Sequence, residues 1–298
     1  MKLRAIFFSI LTLFVGFLST QTFAEGHSDA EPMQVTVSIL PQKYFLNEIG
    51  GKYVKVNVMV PPGAEPADYE PKPSQMTELS KSKLYFSIGV PFEKSWLNRF
   101  QGANPDMKII KTEQGIEKMP LAFDDEGNRI PTSKGLMDPH VWLSPALVRI
   151  QAMNIRDALS NADPAHKEYY RQNYMKFAKK INAIDEQLVN IMSGIPASET
   201  SFITFHPAWG YFAADYGLHQ LPIQVEGKEA DMKHLQKLID YAKKENIKVI
   251  FMEPQFSKKQ AKVIASAIGG KVIAIDPLAE DWGKNLVSIA ETFKATMK

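Results

Sequence analysis

Seven apolar residues, Tyr170, Tyr174, Phe177, Ile181, Ile184, Leu188 and Ile191, follow one another at spacings of 4, 3, 4, 3, 4 and 3. That alternation keeps one side of an α-helix apolar along its whole length. Asp163-Pro164 supplies a start signal, and Ser193-Gly194 with Pro196 a stop. No proline or glycine interrupts the stripe, so no kink is built in. At 1.5 Å per residue, a helix over 163–194 is about 45 Å long, more than one small domain can cover. A coiled coil shares this signature. The α/β character of both flanks favours a spine spanning two domains.

Each flank carries four short apolar runs of strand length separated by helical patterns. Before the spine the strands fall near Val35–Ile39, Val54–Val60, Leu84–Ile88 and Met107–Ile110. After it they fall at Phe202–Phe205, Leu221–Val225, Val249–Met252 and Val272–Ile275. Alternation of this kind builds parallel sheets through right-handed crossovers. The expected fold is therefore α/β: two parallel-sheet lobes of four strands each, joined by one long rigid backbone helix. The lobes are expected over 34–162 and 195–298, with the linking helix at 163–194.

The first residues belong to neither lobe. Lys2 and Arg4 precede an apolar run from Ala5 to Leu18, and Thr22-Phe23-Ala24 places small residues at −3 and −1. This is the pattern of a secretory signal peptide over 1–24, too short for a confident membrane span. A disordered, acidic tail over 25–33 is expected to follow. The chain has no cysteine, which excludes disulfides and a lipid-modified cysteine at the cut. Losing two basic residues from 35 leaves 33 against 33 acidic ones, so the mature chain is neutral. That balance argues against nucleic-acid or anionic-membrane binding. The expected location is the periplasm, and the expected state a monomer.

The chemistry sits where strands end. In Ser201–Gly217 a strand-like run hands directly to His206-Pro207 and a helical segment, with Pro207 as its expected first residue. The same grammar recurs at Ile273–Leu278 around Asp276, and Asp138–Pro145 carries His140. α/β folds place functional groups at carboxyl edges of strands in this way. Two imidazoles and a carboxylate suit zinc or the harder manganese ion. Any one of them alone could be a hydrogen-bonded structural residue. Asp138 stands two residues before His140 and could orient its ring. Trp142, Trp209 and Tyr211 are candidate walls or ordinary core. The polar insertion at 121–136, with Asp124, Asp125 and Glu126, reads as an exposed hairpin or loop. If cleavage follows Ala24, Glu25-Gly26-His27 could form a square-planar nitrogen site for copper(II).

Six stretches carry a resemblance over essentially the whole mature chain: GAEPADYEPKPSQM (63–76), DPHVWLSP (138–145), FHPAWGYFAADYGL (205–218), VEGKE (225–229), MEPQFS (252–257) and IDPLAEDW (275–282). In these the chain resembles the zinc- and manganese-binding periplasmic receptors of ABC importers. The resemblance implies one divalent metal bound between two lobes for delivery to a membrane permease, with His140, His206 and Asp276 as ligands. Manganese-type members usually carry glutamate where His206 stands, which leans the cargo to zinc. The chain departs from the usual Pro-His-x-Tyr-Glu-Pro motif: it reads Pro66-Ala67-Asp68-Tyr69-Glu70-Pro71. Alanine thus occupies the first ligand position. Asp68 is the first candidate to fill the gap, with Glu65 second and water the simplest alternative. A receptor that has drifted to manganese, iron, copper or a metal chelate is the competing reading. A zinc-dependent hydrolase is a minor one, since no nucleophile or oxyanion motif accompanies the ligands.

Overall fold

The computed structural model describes residues 31–124, 126–131 and 135–297. The signal peptide and the Glu25-Gly26-His27 motif lie outside the described residues. In the first half the elements run β1 (Met33–Val37), α1 (Leu40–Gly50), β2 (Val54–Val58), α2 (Pro73–Leu79), β3 (Leu84–Ser87), α3 (Pro91–Ala103), β4 (Lys108–Lys111). A two-stranded hairpin of β5 (Ala122–Phe123) and β6 (Arg129–Ile130) follows, then α4 (Pro145–Ala162) and the spine α5 (Lys167–Met192). The second half comprises β7 (Ser201–Thr204), α6 (Gly210–Asp215), β8 (His219–Pro222), α7 (Met232–Lys244), β9 (Val249–Met252), α8 (Lys258–Ala267), β10 (Lys271–Ala274) and α9 (Trp282–Thr296).

Both halves form parallel four-stranded sheets, ordered β2-β1-β3-β4 and β10-β9-β7-β8. Counted within each half, the two orders place a reversal at a comparable point. Strands at the middle of such sheets are covered on both faces and read as unbroken apolar runs. The four residues of β3 and of β9 are all buried. The order reverses between β1 and β3, and between β7 and β9. At these two points consecutive crossovers leave in opposite directions and open a crevice at the carboxyl edge.

The expected stripe faces the interior. Tyr170, Phe177, Ile181, Ile184, Leu188 and Ile191 of α5 are buried, and Tyr174 is half-buried. The α-helix begins later than the sequence signal suggests, because Pro164–His166 forms a 3-10 turn. At 26 residues, α5 is then about 39 Å long. It packs against α1, α4 and α9, and one continuous core includes Phe45 and Phe86 of the first lobe with Phe202, Phe251 and Phe293 of the second. Two indoles stitch the lobes together: Trp142 Nε1 donates to the Pro277 carbonyl, and Trp282 Nε1 to the Trp142 carbonyl, both at 2.7 Å.

Two local expectations shift. Pro207 does not open a helix; Phe205–Trp209 forms bends and a turn, and α6 starts only at Gly210. The eighth strand lies two residues earlier than its apolar run, with polar His219 and Gln220 inside the ladder. Val225 instead enters a tight turn, bonded both ways to Lys228 at 3.0 and 2.9 Å. Glu226 and Gly227 both have positive φ there, 51° and 77°, the signature of a type I′ turn.

Candidate metal centre

His206 follows β7 at the switch point of the second sheet, where its backbone N–H donates to Glu253 Oε2 at 3.2 Å. Glu253 stands at the corresponding place after β9. The His206 Nδ1–H donates to Gln224 Oε1 at 2.7 Å. Phe256 stacks on the ring, with centroids 5.3 Å apart at 24°. The type I′ turn covers another side: a Cβ built on Gly227 would lie 3.4 Å from His206 Cε1. Burial drives the His206 pKa down to about 3, and the neighbouring His140 pushes the same way. The ring is therefore neutral at ordinary pH.

His140 ends the first lobe in a similarly determined position. Its Nδ1–H donates to Asp138 Oδ1 at 2.6 Å, and its backbone N–H donates to the same oxygen at 3.0 Å. Asp138 is fully buried, and burial alone would raise its pKa. His140 and Arg129 together outweigh this and hold the carboxyl below its ordinary value. An ionised carboxylate only accepts, so the Asp138 contact fixes the proton on Nδ1. Both imidazoles thus have Nδ1 engaged, which leaves Nε2 on the far side of each ring from its support. Their ring centroids are 5.2 Å apart at 78°. An imidazole oriented by a carboxylate or amide through its other nitrogen is the usual setting of a metal ligand.

The polar insertion is less exposed than its composition suggests. Arg129 of β6 turns inward, donating to Asp138 Oδ2 at 2.8 Å and to the Pro120 carbonyl. Its guanidinium also lies over the rings of Phe123 and Tyr211, 4.9 and 5.6 Å from their centroids. Tyr211 donates to the Asp138 carbonyl at 3.0 Å and accepts from the Met119 N–H at 3.0 Å. The hairpin is therefore the outer support of His140.

Residues 35–298 match the family described as zinc-uptake complex component A, periplasmic, or ZnuA. The chain belongs to that family. It is a substrate-binding receptor of the ABC metal transporter type and not an enzyme. It is 32% identical over 289 residues to the iron-binding protein YfeA of Yersinia pestis, covering 94% of this chain and 90% of that one. It is 29% identical over 267 residues to the high-affinity zinc uptake system protein ZnuA of Bacillus subtilis, covering 87% and 83%. A solved crystal structure of ZnuA superposes with a TM-score of 0.83 at 41% identity, covering 90% of this chain and all of that one. The periplasmic zinc binding protein TroA of Treponema pallidum shares the fold, with a TM-score of 0.79 at 18% identity and coverage of 89% and 99%. Among the described residues, no helix of this ZnuA-family chain is long and apolar enough to cross a membrane.

The expected donors are not all gathered. Among the described residues, no three His, Asp or Glu side chains stand together closely enough to hold an ion. Asp276 follows β10, where its Oδ1 accepts from Gln255 Nε2 at 3.0 Å and from the Leu278 N–H at 2.9 Å. Asp68 is exposed, as is Ala67. Glu65 is half-buried and accepts the Ala67 N–H on Oε1 at 3.1 Å. Burial raises its pKa, while His140 is near enough to pull it down. Burial also lifts Glu253 to about 8, outweighing the His206 N–H and the Trp209 indole that favour its ionised form. Of the aromatic candidates, Trp142, Trp209 and Tyr211 are buried core residues. Glu253 was discoverable, since it directly follows a strand-like run, whereas Gln224 was hidden inside the expected eighth strand. Arg129 gave no signal, because an arginine in a polar insertion looks solvated.

Proposed function

We propose that this chain captures a divalent transition metal, zinc first, between its two lobes in the periplasm and hands it to an ABC permease. On this reading residues 1–24 are removed after Ala24, the mature receptor works as a monomer, and His140, His206 and Asp276 are ligands. The observation that carries it is the imidazole pair: two rings with centroids 5.2 Å apart, each held through Nδ1 with Nε2 on the far side from its support. Borderline-soft zinc takes imidazole nitrogen readily. The named functions of relatives support a metal cargo, zinc in Bacillus subtilis ZnuA and iron in Yersinia pestis YfeA. The iron-binding relative and the alanine at position 67 favour manganese or iron(II) as a second reading. Asp276 and a further donor would reach the pair as the surrounding loops close on the ion.

Competition titration of metal-stripped mature protein with zinc, manganese and iron(II), followed by elemental analysis, tests this. One equivalent of zinc should bind tightest, and His140→Ala or His206→Ala should nearly abolish it. Unchanged zinc affinity in His206→Ala would remove the basis of the reading.

A further inference from the structure

We infer that the hairpin of β5 and β6 is a strap fastened across the two lobes, with Gly127 and Gly210 as its seats against the second lobe and Arg129 as the residue those seats position. The turn of the strap is preset. Asp124 Oδ1 accepts the Glu126 and Asn128 N–H groups at 3.0 and 2.8 Å, and its Oδ2 accepts Asn128 Nδ2 at 3.0 Å. Gly127 follows at φ 83°, a left-handed backbone that suits glycine. It meets β8, the end strand of the second sheet. A Cβ built on Gly127 would stand 2.7 Å from His219 Nε2 and 2.8 Å from the Gln220 carbonyl. The imidazole could swing aside, but the carbonyl belongs to the strand backbone, so position 127 has no room for a side chain. An end strand carries backbone groups that no neighbouring strand pairs, and the hairpin lies over this one at Gln220.

The second seat is the first residue of α6. A Cβ on Gly210 would run into the Arg129 guanidinium and come within 3.1 Å of Asp138 Oδ2. Arg129 therefore crosses from the strap to Asp138 over the start of α6, through space that only a glycine leaves. Its 2.8 Å bond to Asp138 Oδ2 ends on the first lobe. Tyr211, next along α6, grips the same junction. Its hydroxyl accepts the Met119 N–H just before the hairpin and donates to the Asp138 carbonyl, both at 3.0 Å. The root of the hairpin is closed by the Asp138 N–H, which donates to the Met119 carbonyl at 2.8 Å. The first lobe thus holds the strap at its root, and the second holds it at its turn. Unseating the turn withdraws Arg129 from Asp138, the carboxylate that fixes His140 Nδ1 at 2.6 Å. The consequence for cargo rests on the metal-capture reading above; the strap itself does not.

The test uses the mature protein with Gly127→Ala, Gly210→Ala, Arg129→Ala, the double variant of Gly127→Ala with Arg129→Ala, and His206→Ala. Gly115→Ala is the control: Gly115 has φ 86° but nothing within 4 Å of a built Cβ, so alanine there carries the backbone strain without the clash. Hydrogen exchange read by mass spectrometry follows peptides over 119–130 and 219–223. Thermal unfolding of the metal-free forms checks folding, and competition titration gives zinc affinity. Gly127→Ala and Gly210→Ala should each speed hairpin exchange by about 10-fold or more. Each should also weaken zinc by the roughly 10–100-fold typical of losing an outer support. Gly115→Ala should do neither, and adding Gly127→Ala to Arg129→Ala should cost zinc nothing further. If the hairpin exchanges alike in Gly127→Ala and Gly115→Ala, it is not seated on β8 and the inference fails. It fails equally if the zinc losses of Gly127→Ala and Arg129→Ala add, or if the hairpin loosens with zinc unchanged while His206→Ala abolishes binding, because the seats then do not position Arg129. If His206→Ala also binds normally, the metal reading falls, and faster exchange in both glycine variants alone upholds the strap.

Discussion

Replacing Asp138 by asparagine separates the support of His140 from its surroundings. The carboxylate is fully buried and serves two partners at once: Oδ1 takes the His140 Nδ1–H at 2.6 Å, and Oδ2 takes Arg129 at 2.8 Å. An asparagine has one acceptor oxygen and one amide nitrogen. If the oxygen stays with His140, the amide faces the Arg129 guanidinium, donor against donor. Breaking a buried pair while leaving one charge in place costs about 3–5 kcal/mol. Arg129 keeps its bond to the Pro120 carbonyl and is partly exposed, so the lower end, about 3 kcal/mol, applies. That corresponds to a fall in Tm of roughly 6–12 °C for a chain of this size. Zinc affinity should drop about 10–100-fold, the typical cost of losing an outer support, or about 1.4–2.7 kcal/mol. Calorimetry of the metal-free protein and a zinc-indicator competition read the two effects separately. A lowered Tm with unchanged zinc affinity would show that Asp138 holds the hairpin and does not tune His140, and the argument for an oriented imidazole would fail.

Two further outcomes follow, one from a buried carboxyl and one from the core that the lobes share. Burial raises the Glu93 pKa from 4.5 to about 7, so between those values the native state holds a proton that the unfolded chain releases. Its stabilising contribution is complete below about pH 4.5 and is lost as pH rises through 7, a change on the order of 3 kcal/mol. Glu93→Gln should gain stability relative to the parent by about that amount between pH 5 and pH 8 in urea unfolding. A difference that does not change with pH would contradict it. The second outcome concerns motion. With one core running through both lobes and the Trp142–Trp282 stitches across them, zinc should leave the distance between spin labels at Lys52 and Lys262 unchanged, while labels at Asp68 report a local shift. A large change in the inter-lobe distance would refute local loop rearrangement as the route of loading.

The spine and the parallel sheets were readable because burial imposes a period. A stripe at 3.5-residue spacing has to face a core, and α5 buries six of its seven predicted positions. His206 stood out in the sequence because a polar residue at a strand end has few other reasons to interrupt an apolar run, whereas His140 follows no strand and sits just before the 3-10 turn Val141–Leu143. The eighth strand was misplaced by two residues because its ladder includes His219 and buried Gln220, whose polarity hid it. Pro207 misled in a similar way: its fixed φ suits a turn as well as a helix start, and the His206 N–H was committed to Glu253. Arg129 escaped composition altogether. It is a charged residue in a polar loop, and only the folded chain shows which loop residues turn inward.

The two switch points raise the question of why the cargo should engage one and not the other. In the first sheet the crevice is already closed chemically. Glu93 Oε1 accepts from Ser38 Oγ and the Ile88 N–H, Oε2 accepts from the Gly89 N–H at 2.8 Å, and Ser38 shares a 2.7 Å bond with Tyr85 Oη. A polar network whose members satisfy one another has nothing left to offer an ion. In the second sheet the carboxyl edge carries His206 and Glu253. There the buried Glu253 carboxyl accepts the His206 N–H on Oε2, and burial raises its pKa to about 8, so a charge on it is costly in the interior. His140, whose ring centroid stands 5.2 Å from that of His206, is held there by Asp138 of the first lobe. The two edges are thus chemically unlike: the first lobe fills its switch point with Glu93, and the second places His206 and Glu253 at its own.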